Sequence, residues 1–290
     1  EPTLNFLMSH LLLNIEQGMR SDIVRAYIQA IGTICRTVGH RMGKYLDKIV
    51  PIFLKFCGEP NNEEMFSEDA CELRENCFQG FESFVLRCPR EITPYLNCVL
   101  SIALKFVKYD PNYNYGSDND GANEGDGDEE LFDESYEEDS DDDTSWKVRR
   151  SSLKVVRSII ATRPELLETL GKECCDILVL RFKEREEHVR TDILACLTCL
   201  LESVNAFQNR NLSSGSGQKK VSVREDSPAV AILREKLDAI VRSANFHLFT
   251  VKMMNRSPKT AIAAWKMICS LQTTVSGDLK EELMGFLFDA

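Results

Sequence analysis

Cys196 and Cys199 stand in "TDILACLTCLLESV" at the CxxC spacing that serves thiol–disulfide exchange or half of a zinc site. Redox use would place the pair beside a βαβ pattern, and zinc would need further ligands. Here the pair sits inside an apolar helical pattern. His10, His40, His188 and His247 have no ligand spacing to any Cys pair. The 11 cysteines are odd in number and fall mostly on apolar stripes, which reads as reduced, buried thiols of an intracellular protein. The chain has no GxSxG, P-loop, HExxH or GxGxxG motif, and its abundant acids make no paired-carboxylate argument. The expectation is a binding scaffold rather than an enzyme, with no catalytic residue, metal or cofactor.

The densest chemistry is charge. In "RFKEREEHVR", Arg181 to Arg190, seven of ten residues are charged. The stretch falls in a turn between two helices. Arg181, Lys183, Glu184, Arg185, Glu186 and Glu187 are therefore candidates for a partner-contact surface, set against the plainer reading of a solvated turn. A second candidate set recurs. Val24-Arg25, Leu73-Arg74, Val148-Arg149 and Val189-Arg190 each put an Arg after an apolar residue near the start of an amphipathic helix. Arg25, Arg74, Arg149 and Arg190 read as a ladder that ties neighbouring repeats together. Trp146 is expected to cover its helix start.

Those helices are the repeating unit. Eight residues after the first member of each pair come Gly32, Phe81, Val156 and Leu197, and eleven after come Cys35, Phe84, Ile159 and Leu200. Offsets of this kind trace one face of a helix with about 3.6 residues per turn. Each is preceded by a partner helix, such as "KYLDKIVPIFLKFC" or "PELLETLGKECCDILVLRF", and a fifth unit closes with "SPKTAIAAWKMICSLQTTV", where Thr260 takes the Arg place. The Arg spacings are 49, 75 and 41, and removing Asp110–Asp143 turns the 75 into 41. A helix pair repeating every ~40–47 residues is the signature of HEAT and armadillo solenoids. The fold class expected is all-α: a HEAT-repeat superhelix of antiparallel helix pairs, with no sheet.

The chain divides accordingly into HEAT repeats over 1–109, an acidic insertion within a repeat over 110–143, and HEAT repeats over 144–290 that include a polar loop at 209–227 and the start of a sixth unit. Pro51 predicts a kink inside "KIVPIFL". Pro89 and Pro164 mark helix ends, and Ser145 reads as lying just before a helix. The insertion also explains the net charge of −11: the stretch from Ser117 to Asp143 holds 15 Asp and Glu with no Lys or Arg, leaving +4 elsewhere. Such a run cannot offset its ordering entropy and is expected to be disordered. A remainder so weakly basic argues against nucleic acid as a partner. Apolar runs fall short of the roughly 18 residues of a membrane span. The first residue is Glu1 rather than Met, which reads as a piece of a longer protein.

"SWKVRR" after an acidic insertion, "RFKEREEHVR" some thirty residues later, "SPKT" opening a later helix, and "GHRMGKYLDKIVPIFLKFC" upstream resemble the cullin-associated, neddylation-dissociated protein (CAND) family across nearly the whole chain. The resemblance implies a long HEAT solenoid that wraps a cullin bound to its RING-box subunit, in both cytoplasm and nucleus. It implies shielding of the lysine that accepts the ubiquitin-like modifier, and exchange of substrate receptors on SCF-type ligases. The chain would correspond to part of the N-terminal half and would not exchange receptors alone. Two features depart from the family pattern: an acidic insertion diluted with Gly and Asn, and the Gly/Ser stretch at 213–217. A karyopherin-β-type transport receptor with an acidic loop is the alternative, and an acidic histone-chaperone module a third reading.

Overall fold

The computed structural model describes residues 1–17, 21–58, 67–109, 144–213 and 227–275, and every regular element among them is helical. Five helix pairs follow one another. The first is α1 (Pro2–Glu16) with α2 (Ser21–Val38), and the second α3 (Leu46–Cys57) with α4 (Glu68–Arg87). Next come α5 (Leu96–Lys108) with α6 (Ser145–Thr162), and α7 (Leu167–Leu180) with α8 (Glu187–Ser213). In the fifth unit α9 (Pro228–Glu235), α10 (Leu237–His247) and the short α11 (Val251–Arg256) precede α12 (Pro258–Thr274).

Local chemistry sets these boundaries. Ser67, Ser227 and Thr250 accept hydrogen bonds from the backbone N–H groups of Ala70, Val230 and Met253, satisfying donors that a helix N-terminus leaves free. Pro228 and Pro258 occupy first helical positions, where a missing N–H costs nothing. Pro89 lies just past the end of α4 and Pro164 just past that of α6. Short 3-10 turns at Gly39–Tyr45, Thr93–Tyr95 and Pro164–Leu166 lead the chain into α3, α5 and α7.

The second helices α2, α4, α6, α8 and α12 pack side by side in one layer, each much more closely on its neighbours than the first helices α3, α5 and α7 pack on theirs. Closer approach on one layer than the other bends the stack toward it, so the second-helix layer lines the inner face. At the α2–α4 crossing, a Cβ on Gly32 would stand 3.4 Å from the Cα of Gly80, and one on Gly80 would meet the Phe53 ring at 2.4 Å. The first distance is near ordinary van der Waals contact, whereas the second means that the bare Gly80 makes room for the Phe53 ring of α3. One continuous core runs through all five units. Phe81, Val156 and Leu197, on the face the repeat alignment sends inward, are fully buried, as is Ile31 beside the aligned Gly32. Phe53, Phe78, Phe81, Phe84 and Phe106 form an edge-on cluster with ring centroids 5.4–6.3 Å apart.

Several boundaries differ from expectation. α3 is a single helix with Pro51 inside it and exposed, and a helix continuous in this way can still bend at a proline. The partner helix of the fifth unit is broken at Lys236 into α9 and α10. Residues 209–213 continue α8 rather than opening the polar loop, and Ser227 caps α9. Ser145 is the first residue of α6, and its buried hydroxyl accepts a hydrogen bond from Arg149. The acidic insertion at 110–143, the rest of the polar loop at 214–226 and the start of a sixth unit lie outside the described residues.

Candidate partner interface

The recurring Arg falls at the same place in three units, and its first job is within the unit. Arg74 donates to the Cys57 carbonyl at 3.0 Å, at the C-terminus of α3. Arg149 donates to the Tyr109 carbonyl at 3.3 Å, just past α5. Arg190 donates to the Glu184 and Arg185 carbonyls at 2.5 and 3.4 Å, just past α7. A helix leaves its last carbonyls without partners and concentrates negative potential there, so a guanidinium on the following helix fastens the two together. Contacts between units are added to this. Arg74 also lies 5.4 Å from the Phe106 ring centroid, and Arg190 donates to the Thr260 hydroxyl at 3.2 Å. Arg25 differs: it pairs with Asp69 at 3.1 Å and with Glu72, both on α4.

The turn between α7 and α8 is where charge is densest, and much of it is interior. Glu184 accepts from Arg149 Nη2 at 3.2 Å, lies 3.1 Å from Arg149 Nε, and pairs with Arg181. Arg149, Arg181, Glu184 and Arg190 are all buried. The expectation that Arg181 and Glu184 offer themselves to a partner is therefore corrected: they are spent on each other and on Arg149, because three cations converging from α6, the turn and α8 need a buried anion. The others divide. Arg185 is exposed, while Lys183, Glu186 and Glu187 are half-buried. Glu187 accepts from the Ser257 hydroxyl at 2.7 Å, and the Glu186 N–H donates to the Glu184 carboxylate at 3.3 Å. Lys183 sits near His247 of α10, and burial together with that cation pushes the imidazole below its ordinary pKa.

Eight of the eleven thiols are buried; Cys199 is half-buried, and Cys98 and Cys269 are exposed. Burial pushes Cys196 well above the ordinary thiol pKa and also raises Cys199; Cys174 and Cys175 are pushed up to about 12. Protonated thiols at neutral pH are poor nucleophiles and poor metal ligands. Among the described residues no three His, Cys, Asp or Glu side chains cluster as metal ligands, and no helix is long and apolar enough to cross a membrane.

On the inner face, an open cleft of about 280 Å³ lies between α4 and α6, lined by Glu75, Gln79, Trp146, Lys147, Arg150, Ser151 and Lys154. Trp146 packs on the core at the start of α6 and approaches the His188 ring of α8 at 6.4 Å. Reading the sequence for turns and repeats missed this cleft. The signal was available: α6 carries five Lys and Arg and no acid.

No family model matches the chain. Individual relatives do. The chain is 35% identical to Cullin-associated NEDD8-dissociated protein 1 of Dictyostelium discoideum over 95% of its length, and 33% identical to the Drosophila melanogaster protein of that name, again over 95%. It is 36% identical to Cullin-associated NEDD8-dissociated protein 2 of Mus musculus over 78%. The chain belongs to the CAND family. It spans about a fifth of the length of these relatives, 21%, 20% and 18% respectively. The helix pairs, their Arg fastenings and the buried charge of the α7–α8 turn thus lie in a stretch that matches about a fifth of its CAND relatives.

Proposed function

We propose that this CAND segment is part of a non-enzymatic scaffold that wraps cullin–RING-box complexes and regulates the assembly of SCF-type cullin–RING ubiquitin ligases, by exchanging substrate receptors and blocking cullin neddylation. One observation carries the reading: relatives named Cullin-associated NEDD8-dissociated protein 1 match along 95% of the chain. The form of the molecule supports it, since stacked helix pairs expose an extended inner face suited to another protein rather than to a small substrate. The partners in this reading are a cullin and its RING-box subunit, with neither nucleic acid nor membrane involved, in cytoplasm and nucleus. A segment of this length engages only part of the complex and does not exchange receptors by itself.

The test is retention of a purified cullin–RING-box complex on the immobilised chain, with nucleotide-loaded Ran in a parallel arm. Retention of the cullin complex alone is expected. Capture of Ran without the cullin complex would replace the reading with the karyopherin alternative, and capture of neither would remove it.

A further inference from the structure

Lys147, Arg150, Lys154 and Arg157 stand on α6 at spacings of three, four and three residues. That spacing keeps them on one face of the helix, and all four reach solvent there. We propose that this stripe, with the cleft beside Trp146, is a docking site for an acidic peptide segment of a partner protein. The proposal does not rest on the cullin reading.

Three observations carry it. The first is charge that the described residues leave uncompensated. Arg150 pairs with Asp192 of α8 at 2.8 Å, and Glu75 on the facing wall already accepts from Gln79 at 3.0 Å. Lys147, Lys154 and Arg157 make no ion pair with any described residue. Lys147 instead lies 5.9 Å from the Trp146 ring centroid. Among the described residues, four cations stand against Glu75 and Asp192, so the site is net positive.

The second observation is position. The stripe belongs to the inner layer, where α4, α6 and α8 pack closely. Cations concentrated in a concavity hold a stronger field than the same cations spread over a convex surface. Ser151 and Trp146 line the cleft beside Lys147, Arg150 and Lys154, so the stripe borders a recess rather than a flat surface.

The third is length. Lys147 to Arg157 is ten residues of helix, about 15 Å at ~1.5 Å per residue. An extended peptide covers that distance in about four to five residues at ~3.3 Å each, placing alternate carboxylates near successive cations. A duplex would need a basic stripe continued across neighbouring helices, whereas the facing wall of α4 offers Glu75 and Gln79 to the cleft.

The experiment measures binding of a fluorescent Asp/Glu-rich peptide to the full chain by anisotropy, beside an Asn/Gln-matched peptide and a single-stranded oligonucleotide. The expected result is that the acidic peptide binds, the matched peptide does not, and affinity falls as salt rises, because added salt screens exposed charges. Lys154→Glu with Arg157→Glu should weaken the acidic peptide by at least about tenfold, while Lys154→Arg leaves it unchanged. Circular dichroism and melting of each variant check that the solenoid is intact. The proposal is overturned if the folded double variant binds the peptide as the parent does. It is equally overturned if the Asn/Gln peptide binds as well, or if the oligonucleotide binds more tightly and responds to the same substitutions.

Discussion

Arg25 and Arg149 occupy the same place in their repeats, yet they meet opposite physics. Arg25 is about 30% exposed and pairs with Asp69 and Glu72 at the solvent edge of α4. Arg149 is fully buried beside an equally buried Glu184. The cause lies in the residues that share the arginine's face, four, seven and eleven positions on. After Arg149 these are Leu153, Val156 and Ile160; after Arg74, Phe78, Phe81 and Val85; after Arg190, Leu194, Leu197 and Leu201, and all nine are buried. After Arg25 they are Gln29, Gly32 and Arg36, and both Gln29 and Arg36 are exposed. Once the rest of the face goes into the core, the arginine goes with it and must find carbonyls and a carboxylate there. Where the face is polar, the arginine stays at the rim.

The comparison is sharpest at Glu184. Glu184→Ala removes the anion that Arg149 and Arg181 share and leaves their charge in the interior. Breaking one side of a buried pair costs about 3–5 kcal/mol, so this variant should show the largest loss in chemical denaturation. A change below ~1 kcal/mol would mean that water enters the turn and that the two arginine environments are not as different as their burial states.

Leu197→Ala calibrates the same helix without charge. Leu197 is fully buried on the face that carries Arg190, and truncating such a residue costs about 2–5 kcal/mol. Denaturation midpoints for Glu184→Ala and Leu197→Ala measured together show whether α8 is held more by its apolar face or by the turn that precedes it. If Leu197→Ala costs only a few tenths of a kcal/mol, the repeat register is wrong.

The repeats were legible because they depend on short-range periodicity. An apolar face at helical offsets, prolines past helix ends and a spacing of 41 to 49 residues between apolar-Arg pairs, once 110–143 is set aside, all survive in one dimension. The interior of the α7–α8 turn was not legible, because its partners are remote: Arg149 meets Glu184 from 35 residues away, and Arg190 meets Thr260 from 70. A run of seven charges is normally solvated, so composition pointed Arg181 and Glu184 outward. One clue did exist. Arg149 lies on the same stripe as Leu153 and Val156, which fixes its burial and demands an anion nearby. The α6 cations outside that stripe were visible in composition, but their cleft depends on how α4 and α8 flank them.

The rim pair gives the opposite limit. Arg25→Ala removes the contacts to Asp69 and Glu72, and exposed pairs are worth about 0–1 kcal/mol. The loss should shrink further in high salt, whereas that of Glu184→Ala should not, since buried pairs are screened much less. Equal salt dependence in the two variants would erase the distinction drawn between the two regions.

The smallest effect lies on the outer side of the turn, at His247. Burial and the neighbouring Lys183 lower its pKa in the folded state from the ordinary ~6.5. The sign follows from proton binding. As pH falls through about 6.5 the unfolded chain takes up this proton first, so the folded state loses stability relative to it. The contribution of His247 is complete above that pH, declines below it, and levels off once the folded imidazole is protonated too. The melting temperature of the chain should therefore drop slightly between pH 7.5 and 5.5, and the drop should be smaller in His247→Gln. Because His247 is half-buried, the difference should be well below that of either interior variant. Lys183→Gln should recover part of it by removing the cation that opposes protonation. An acid-side drop that is unchanged in both variants would place its origin elsewhere in the solenoid and leave the outer side of the turn electrostatically silent.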